Sequence, residues 1–361
     1  MKRTVGIIGV TGYSGQELLK ILLSHPMVSI EYLGARSVKN RPRPMGEVLP
    51  QFRGAASLSI HPLNAEDAAR RCEILFLCLP HGVAMGIVPR IIKKRKELRV
   101  IDLSGDFRLR SAGSYEQAYR IRHRSPALLK GAAYGLPEWR REAIRSARIV
   151  ANPGCYATAA LLGAVPLAKA GLLKGQGLIV DAKSGVTGAG RSLKEELLFT
   201  EVNEDLRAYR VNAHQHMPEM EQELRRVSGR SIRLTFVPHL VPLNRGIYAT
   251  IYAPLARRLT EARLRAIYER RYGGEPFIRI LPAGTWPEVK SVAGTNFCDI
   301  GLRLDPKGNQ AIILVAIDNL GKGAAGQAVQ NMNLMCGIPE AAGLLACHPR
   351  GSEDRFSLSR E

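Results

Sequence analysis

At 361 residues the chain is longer than most single domains, and its 45% hydrophobic and 23% charged content is that of a soluble, globular, two-domain protein. No apolar run reaches the ~20 residues that cross a bilayer, and the six cysteines (72, 78, 155, 298, 336, 347) include no C-x-x-C pair, which argues against a membrane anchor, a disulfide framework and a zinc site and for a reducing cytosol. The surplus of 52 Lys+Arg over 32 Asp+Glu, a net +20, is scattered with few aromatics beside it, so it reads as a basic surface that draws in anionic substrates and not as a nucleic-acid footprint.

Met1-Lys2-Arg3-Thr4 runs at once into a β-branched apolar segment, residues 4–10, so no signal peptide is expected. That segment predicts a buried first strand. Gly9-Val10-Thr11-Gly12-Tyr13-Ser14-Gly15 follows, and then a helical pattern with Leu18, Leu19, Leu22 and Leu23. Strand, glycine turn and helix together are a dinucleotide-binding signal, here with G-x-x-G-x-x-G spacing. Gly9, Gly12 and Gly15 let backbone approach a pyrophosphate, while Thr11, Tyr13 and Ser14 sit in the same turn at the positive end of the helix. The second strand, residues 28–33, ends in Gly34-Ala35-Arg36-Ser37. A carboxylate at that tip would hold a ribose 2′-hydroxyl; Arg36 and Ser37 suit a 2′-phosphate, hence NADP(H). The plain alternative is a solvated arginine.

Residues 72–79 are too continuously apolar for anything but a buried parallel strand, with Cys72 and Cys78 in the core. Pro80-His81-Gly82 lies at its C-terminal end, the edge where open α/β sheets bind ligands. Residues 99–103 form another strand, ending in Ser104-Gly105-Asp106-Phe107-Arg108. Arg108 either binds a substrate anion or makes a surface salt bridge.

Residues 111–148 are basic and polar, with Tyr134-Gly135-Leu136-Pro137-Glu138 as a turn. Residues 147–151 then read as a strand, Asn152-Pro153-Gly154 breaks it, and a small-residue helix starts at about Thr158 and runs to about Ala170. Cys155 thus falls at a strand-to-helix turn, where helix N–H groups favour thiolate and a nucleophilic role. The bland reading is a buried free cysteine. The domain boundary belongs near this point.

Residues 177–182 predict a strand leading into the glycine-rich loop Lys183-Ser184-Gly185-Val186-Thr187-Gly188-Ala189-Gly190-Arg191, either a flexible surface loop or a place where substrate meets backbone. Asn212-Ala213-His214-Gln215-His216-Met217-Pro218-Glu219 opens a helix carrying Met220, Leu224 and Val227. Histidines at i, i+2 share no helical face and have no third ligand nearby, so no metal is expected. A histidine at a helix start with a carboxylate three residues on suits acid–base work beside the upstream cysteine; the plain alternative is a structural histidine. Strands at 232–238, 247–252 and 311–317 and a helix at 260–272 predict an α+β second domain with a largely antiparallel sheet. Gly294-Thr295-Asn296 and Asp318-Asn319-Leu320-Gly321-Lys322-Gly323 are turns, and residues 324–336 a small-residue helix packing back on the first domain.

Several of these segments, taken in order, resemble the N-acetyl-gamma-glutamyl-phosphate reductase family, the NADP-dependent acyl-phosphate reductases of arginine biosynthesis in the aspartate-semialdehyde dehydrogenase-like superfamily. They are residues 9–15, Leu-Pro-His-Gly (79–82), Asp-Leu-Ser-Gly-Asp-Phe-Arg (102–108), Tyr-Gly-Leu-Pro-Glu (134–138), Asn-Pro-Gly-Cys-Tyr (152–156), Ser-Gly-Val-Thr-Gly-Ala-Gly-Arg (184–191), His-Gln-His-Met-Pro-Glu (214–219), Pro-His-Leu-Val-Pro (238–242) and Gly-Thr-Asn (294–296). The resemblance covers residues 4 to about 345. It implies an α/β fold: a Rossmann-type NADP-binding domain over 1–154, completed by the C-terminal helix 324–345, and a glyceraldehyde-phosphate dehydrogenase-like catalytic and oligomerisation domain over 155–323, with a polar tail at 348–361. It further implies a cytoplasmic homodimer or homotetramer acting on a small acyl phosphate, with neither nucleic acid nor membrane as partner. Cys155 would be the nucleophile that forms a thioester, and His216 would keep it ionised and handle the proton, oriented by Glu219. Pro80, Ser184, Gly185 and Asn319 would join the cofactor site; Arg108, Asn152, Gly188, Arg191 and His214 would hold substrate. Gly105 and Met217 stand where the family often has alanine and threonine. The nearest rival is the related reductase of carrier-linked aminoadipyl phosphate in lysine biosynthesis; a basic nucleic-acid-binding protein on a dinucleotide fold is a remote one.

Overall fold

The apolar runs of the first 150 residues become strands of one sheet: β1 (Arg3–Ile8), β2 (Val28–Ala35), β3 (Arg43–Pro44), β4 (Ser59–Pro62), β5 (Ile74–Leu77), β6 (Arg99–Asp102), β7 (Ala132–Tyr134) and β8 (Ile149–Ala151). The computed structural model describes residues 2–345; the tail expected at 348–361 lies outside the described residues. The strand order is β3-β4-β2-β1-β5-β6-β8-β7, parallel throughout except for the short β3–β4 pair. Helices cover both faces, which is why β5 can be Ile-Leu-Phe-Leu with every residue buried. On one face lie α1 (Tyr13–Leu23) and, across the chain, the final helix; on the other lie α2 (Ala65–Arg71) and α3 (Ala84–Lys94). The further helices α4 (Ala112–Tyr119) and α5 (Pro137–Ser146) occupy the stretch that reads as merely basic and polar.

The chain then enters α6 (Cys155–Lys169), whose residues from Tyr156 to Ala168 are all buried. A helix apolar on every side has to be enclosed, and this one is the centre of the second core. It begins three residues earlier than the sequence pattern predicts. Gly154 is the extended N-cap, and Thr158, which looks like a cap, lies inside the first turn with both its N–H and its hydroxyl bonded to the Gly154 carbonyl. Cys155 is therefore the first helical residue.

The second sheet comprises β9 (Leu178–Gly185), β10 (Arg207–Ala208), β11 (Leu234–Val241), β12 (Ile247–Pro254), β13 (Ile278–Ile280), β14 (Cys298–Leu304) and β15 (Gln310–Ile317), ordered β10-β11-β9-β12-β15-β14-β13. It is largely antiparallel; β9–β11 and β13–β14 are the parallel pairs. Its inner face packs on α6, α7 (Met217–Ser228) and α8 (Glu261–Tyr272). β9 continues through Lys183-Ser184-Gly185, so only a short 3₁₀ turn at Val186–Ala189 remains of the expected long loop. After β15 a π-helical turn, Gly321–Ala325, leads into α9 (Gly326–Cys336), whose Val329 and Met332 enter the core under the first sheet.

Candidate active site

The C-terminal ends of the first sheet's strands face the second domain across a cleft of about 1080 Å³. Gly9, Thr11, Gly12, Tyr13, Ser14, Arg36, Ser37 and Pro80 line it, together with Arg108, Asn152, Cys155, Gly188, Arg191, His214, His216 and Asn319. Gly15, Ser184, Gly185 and Glu219 stand behind its walls, supporting residues that do line it.

The glycine loop fits a dinucleotide. Gly9 has φ +94°, and a Cβ there would overlap the Cys78 carbonyl oxygen; one at Gly15 would overlap the Gly9 carbonyl oxygen. Both positions therefore bring backbone closer than any side chain permits. Gly12 caps α1 with no side chain, and no acidic residue occupies the first turn, so the helix end is left for an external anion. Arg36 and Ser37 are exposed just beyond the end of β2. Arg191, read as a substrate ligand, reaches this end of the cleft instead: its guanidinium donates to the Thr11 carbonyl at 2.9 Å. Asn319 ties the opposite wall, accepting from the Gly246 N–H (2.7 Å) and donating to the Thr187 hydroxyl (3.0 Å).

At the other end Cys155 opens on the cleft while packed on its remaining sides. Burial pushes its thiol up to about 11, against the pull of the Arg108 charge and of the Tyr156 N–H at the start of α6. The helix end thus acts as the sequence reading supposes, but desolvation outweighs it, and the thiol is protonated at neutral pH. His216 is the N-cap of α7 and lies against the turn before the nucleophile; a Cβ on Gly154 would overlap its ring. Burial, then His214 and Arg108, push its pKa well below the usual histidine value, so the ring is neutral. Where the sequence reading expects His216 to keep Cys155 ionised, both shifts favour the neutral groups in the free protein.

Arg108 organises this end. It is buried, with Nε donating to the Asn152 carbonyl at 2.8 Å, one terminal nitrogen to the Leu103 carbonyl at 3.0 Å, and the other to His216 Nε2 at 3.2 Å. Because arginine can only donate, His216 Nε2 accepts and the ring proton resides on Nδ1. Glu219 does not touch His216. Its carboxylate lies 3.6 Å from Arg108 and accepts from the Tyr134 hydroxyl (2.7 Å) and the Gly154 N–H (2.9 Å). It therefore braces the arginine and the Cys155 turn, and the arginine stands between it and the histidine. His214 accepts the His216 N–H on Nδ1 at 3.1 Å, and the two rings meet edge to face at 4.6 Å.

Two cleft residues escaped the sequence reading. His81 was visible only as part of a Pro-His-Gly strand end. Arg210 carries no signal at all; it has φ +47°, a strained value for arginine, and its charge bears on His214 and His81.

Residues 4–147 match the family model described as "Semialdehyde dehydrogenase, NAD binding domain", and residues 155–319 the one described as "Semialdehyde dehydrogenase, dimerisation domain". The chain is 47% identical over 339 residues to an N-acetyl-gamma-glutamyl-phosphate reductase of Moorella thermoacetica, and 48% over 340 residues to one of Pelotomaculum thermopropionicum; each alignment covers 94% of this chain and 97% of the relative. Among solved structures, aspartate semialdehyde dehydrogenase II from Vibrio cholerae superposes with a TM-score of 0.70 at 18% identity, covering 93% of this chain and 99% of that one. A Candida albicans aspartate semialdehyde dehydrogenase with NADP gives 0.68 at 15%, covering 93% and 99%. The chain belongs to the N-acetyl-gamma-glutamyl-phosphate reductase family, within the semialdehyde dehydrogenases, and is an oxidoreductase.

Proposed function

We propose that this member of the family reduces N-acetyl-L-glutamyl 5-phosphate to N-acetyl-L-glutamate 5-semialdehyde with NADPH, the reductive step of arginine biosynthesis, through a thioester on Cys155. The observation that carries this reading is the position of Cys155: first residue of a buried helix, open to a cleft that holds a dinucleotide-type glycine loop at one end and the Arg108–His216 pair at the other.

His216, neutral at rest, is the base. Its Nε2 lone pair is occupied by an Arg108 N–H; an anionic substrate competes for that guanidinium and frees the nitrogen to take the Cys155 proton. The sulfur then attacks the acyl carbon, the C–O bond to phosphate breaks, and the proton passes from His216 to the departing phosphate. Gly9, Gly12, Gly15 and the first turn of α1 would hold the cofactor's pyrophosphate, with Arg36 and Ser37 on its 2′-phosphate; such a cofactor would supply a hydride for reduction of the Cys155 thioester. The resulting thiohemiacetal oxyanion reforms its carbonyl and expels Cys155 as thiolate, a good leaving group, which takes up one proton from solvent by way of His216. Asn152, Gly188, His214 and Arg210 complete the substrate end.

The test is NADP reduction with N-acetyl-glutamate 5-semialdehyde and phosphate. Cys155→Ser should abolish it, NAD should replace NADP poorly, and Arg36→Ala should erase most of that preference. Near-normal turnover by the serine variant would refute the thioester route, and better turnover with the aminoadipyl analogue would favour the lysine-pathway relative.

We also read the chain as a dimer. The second sheet's outer face carries Ile179, exposed, and Val237, Tyr248, Tyr252, Ile312 and Leu314, partly exposed, beside the Lys183–Asp181–His239 cluster, a largely apolar face that a second copy would bury. Sedimentation equilibrium should give twice the chain mass or a multiple of it; a monomer at micromolar concentration would refute this.

A further inference from the structure

We propose that His81 is a substrate-binding residue, its Nε2–H donating to an anionic oxygen of the phosphoryl group that leaves in the reaction. The proposal rests on the acyl-phosphate reading above.

The backbone fixes the ring's tautomer. The Gly105 N–H donates to His81 Nδ1 at 2.8 Å, and an amide N–H cannot accept, so in the neutral ring the proton must be on Nε2. Nε2 has no hydrogen-bond partner among the described residues, and His81 faces the same cleft as Cys155 and Arg108. Desolvation at the cleft wall, then the charge of Arg108, lowers its pKa below the usual histidine value, which favours the neutral ring as donor.

The surroundings hold this donor in one pose. Its ring leans on Tyr119 (centroids 4.8 Å apart), which stacks on Tyr115 (4.6 Å), whose hydroxyl donates to Asp106 at 2.8 Å. The same carboxylate accepts from the Gly82 N–H (2.7 Å) and the Met85 N–H (2.9 Å), pinning the turn that carries His81. A Cβ at position 105 would overlap the Tyr119 hydroxyl, so Gly105 is what admits Tyr119 beneath the histidine. The cleft's arginines grip the phosphate by charge, and a neutral donor beside Arg108 adds a directed hydrogen bond without adding a further charge, which suits a group that has to be held and then released.

The experiment runs the reaction toward acyl phosphate, with semialdehyde, NADP and varied phosphate. His81→Leu should raise the phosphate KM by about tenfold or more, the worth of one hydrogen bond to a charged group, with the KM values for NADP and semialdehyde within about twofold of the parent. His81→Gln keeps an acceptor for Gly105 and a donor for the cleft, and should return the phosphate KM to within about threefold. His81→Asn, whose shorter amide satisfies only Gly105, should behave like leucine and decides the matter if H81L does not fold. An unchanged phosphate KM in H81L and H81N, or an increase confined to NADP or semialdehyde, overturns the proposal. If the parent enzyme shows no phosphate-dependent NADP reduction, the acyl-phosphate reading falls instead.

Discussion

Cys155 shows how two effects of similar kind compete at one residue. The first N–H groups of α6 and the Arg108 guanidinium stabilise a thiolate; enclosure by the second core opposes it and wins, leaving the thiol at about 11. Alkylation of the free enzyme by iodoacetamide should accordingly speed up about tenfold per pH unit from 7 to 10, because thiolate is then the minor form throughout. A rate that levels off near pH 7 would mean that the thiolate is already formed. The position of Cys155 at a strand-to-helix turn was legible in Asn-Pro-Gly-Cys. Its protonation was not, because burial depends on residues as distant as Gly323, a Cβ on which would come within 2.8 Å of the Cys155 Cβ. The role of Glu219 was hidden for the same reason. Three residues from His216 in sequence, it looks like that histidine's partner, but the space between them belongs to Arg108, 108 positions upstream of the histidine.

At the scale of elements, periodicity located the buried strands and the long helices, and missed what depends on caps and crossings. Thr158 resembles a helix start, yet Gly154 takes that position because only a residue without a side chain leaves room for His216. Gly154→Ala should therefore keep the fold, judged by circular dichroism and melting, while kcat falls by about 100-fold as the imidazole is displaced by roughly an ångström. An alanine variant with parental kcat would show that the histidine's placement there is not needed. β14 was overlooked although Cys-Asp-Ile-Gly-Leu-Arg-Leu alternates as a strand does; its central Gly301 reads as a turn residue, and Asp299, on the polar side, is buried against Arg279 in a two-pronged ion pair (2.5 and 2.9 Å). Likewise β9 runs through Lys183 to Gly185 because β11 and β12 pair with it on both sides, whatever the local glycine content suggests.

At the scale of the whole molecule, the two sheets keep separate cores, and the chain knots them together where it returns from β15 to α9. Lys322, in the π-helical turn, read in the sequence as one residue of a polar glycine turn. It is completely buried: Nζ donates to Glu138 at the start of α5 and to Gln330 in α9, each at 2.6 Å, and lies 5.7 Å from the Phe277 ring of the second domain. Asn296 adds a bond to Gln330 at 3.1 Å. Nothing local announces this, since the partner carboxylate lies 184 positions away. Such a pair gains little net stability over well-packed apolar residues, but removing one member strands the other charge without water. Lys322→Ala should thus cost about 3–5 kcal/mol and lower the melting midpoint by roughly 5–10 °C, while the double variant Lys322→Met with Glu138→Leu should recover most of the loss. Catalysis responds differently. Gly323, beside the lysine, packs on Cys155, so the double variant restores stability without restoring the ionic lock on that backbone, and its kcat should stay below the parent's. Equal midpoints for the parent and Lys322→Ala would show that the charges are not stranded, and full activity in the double variant would reduce the network to packing alone.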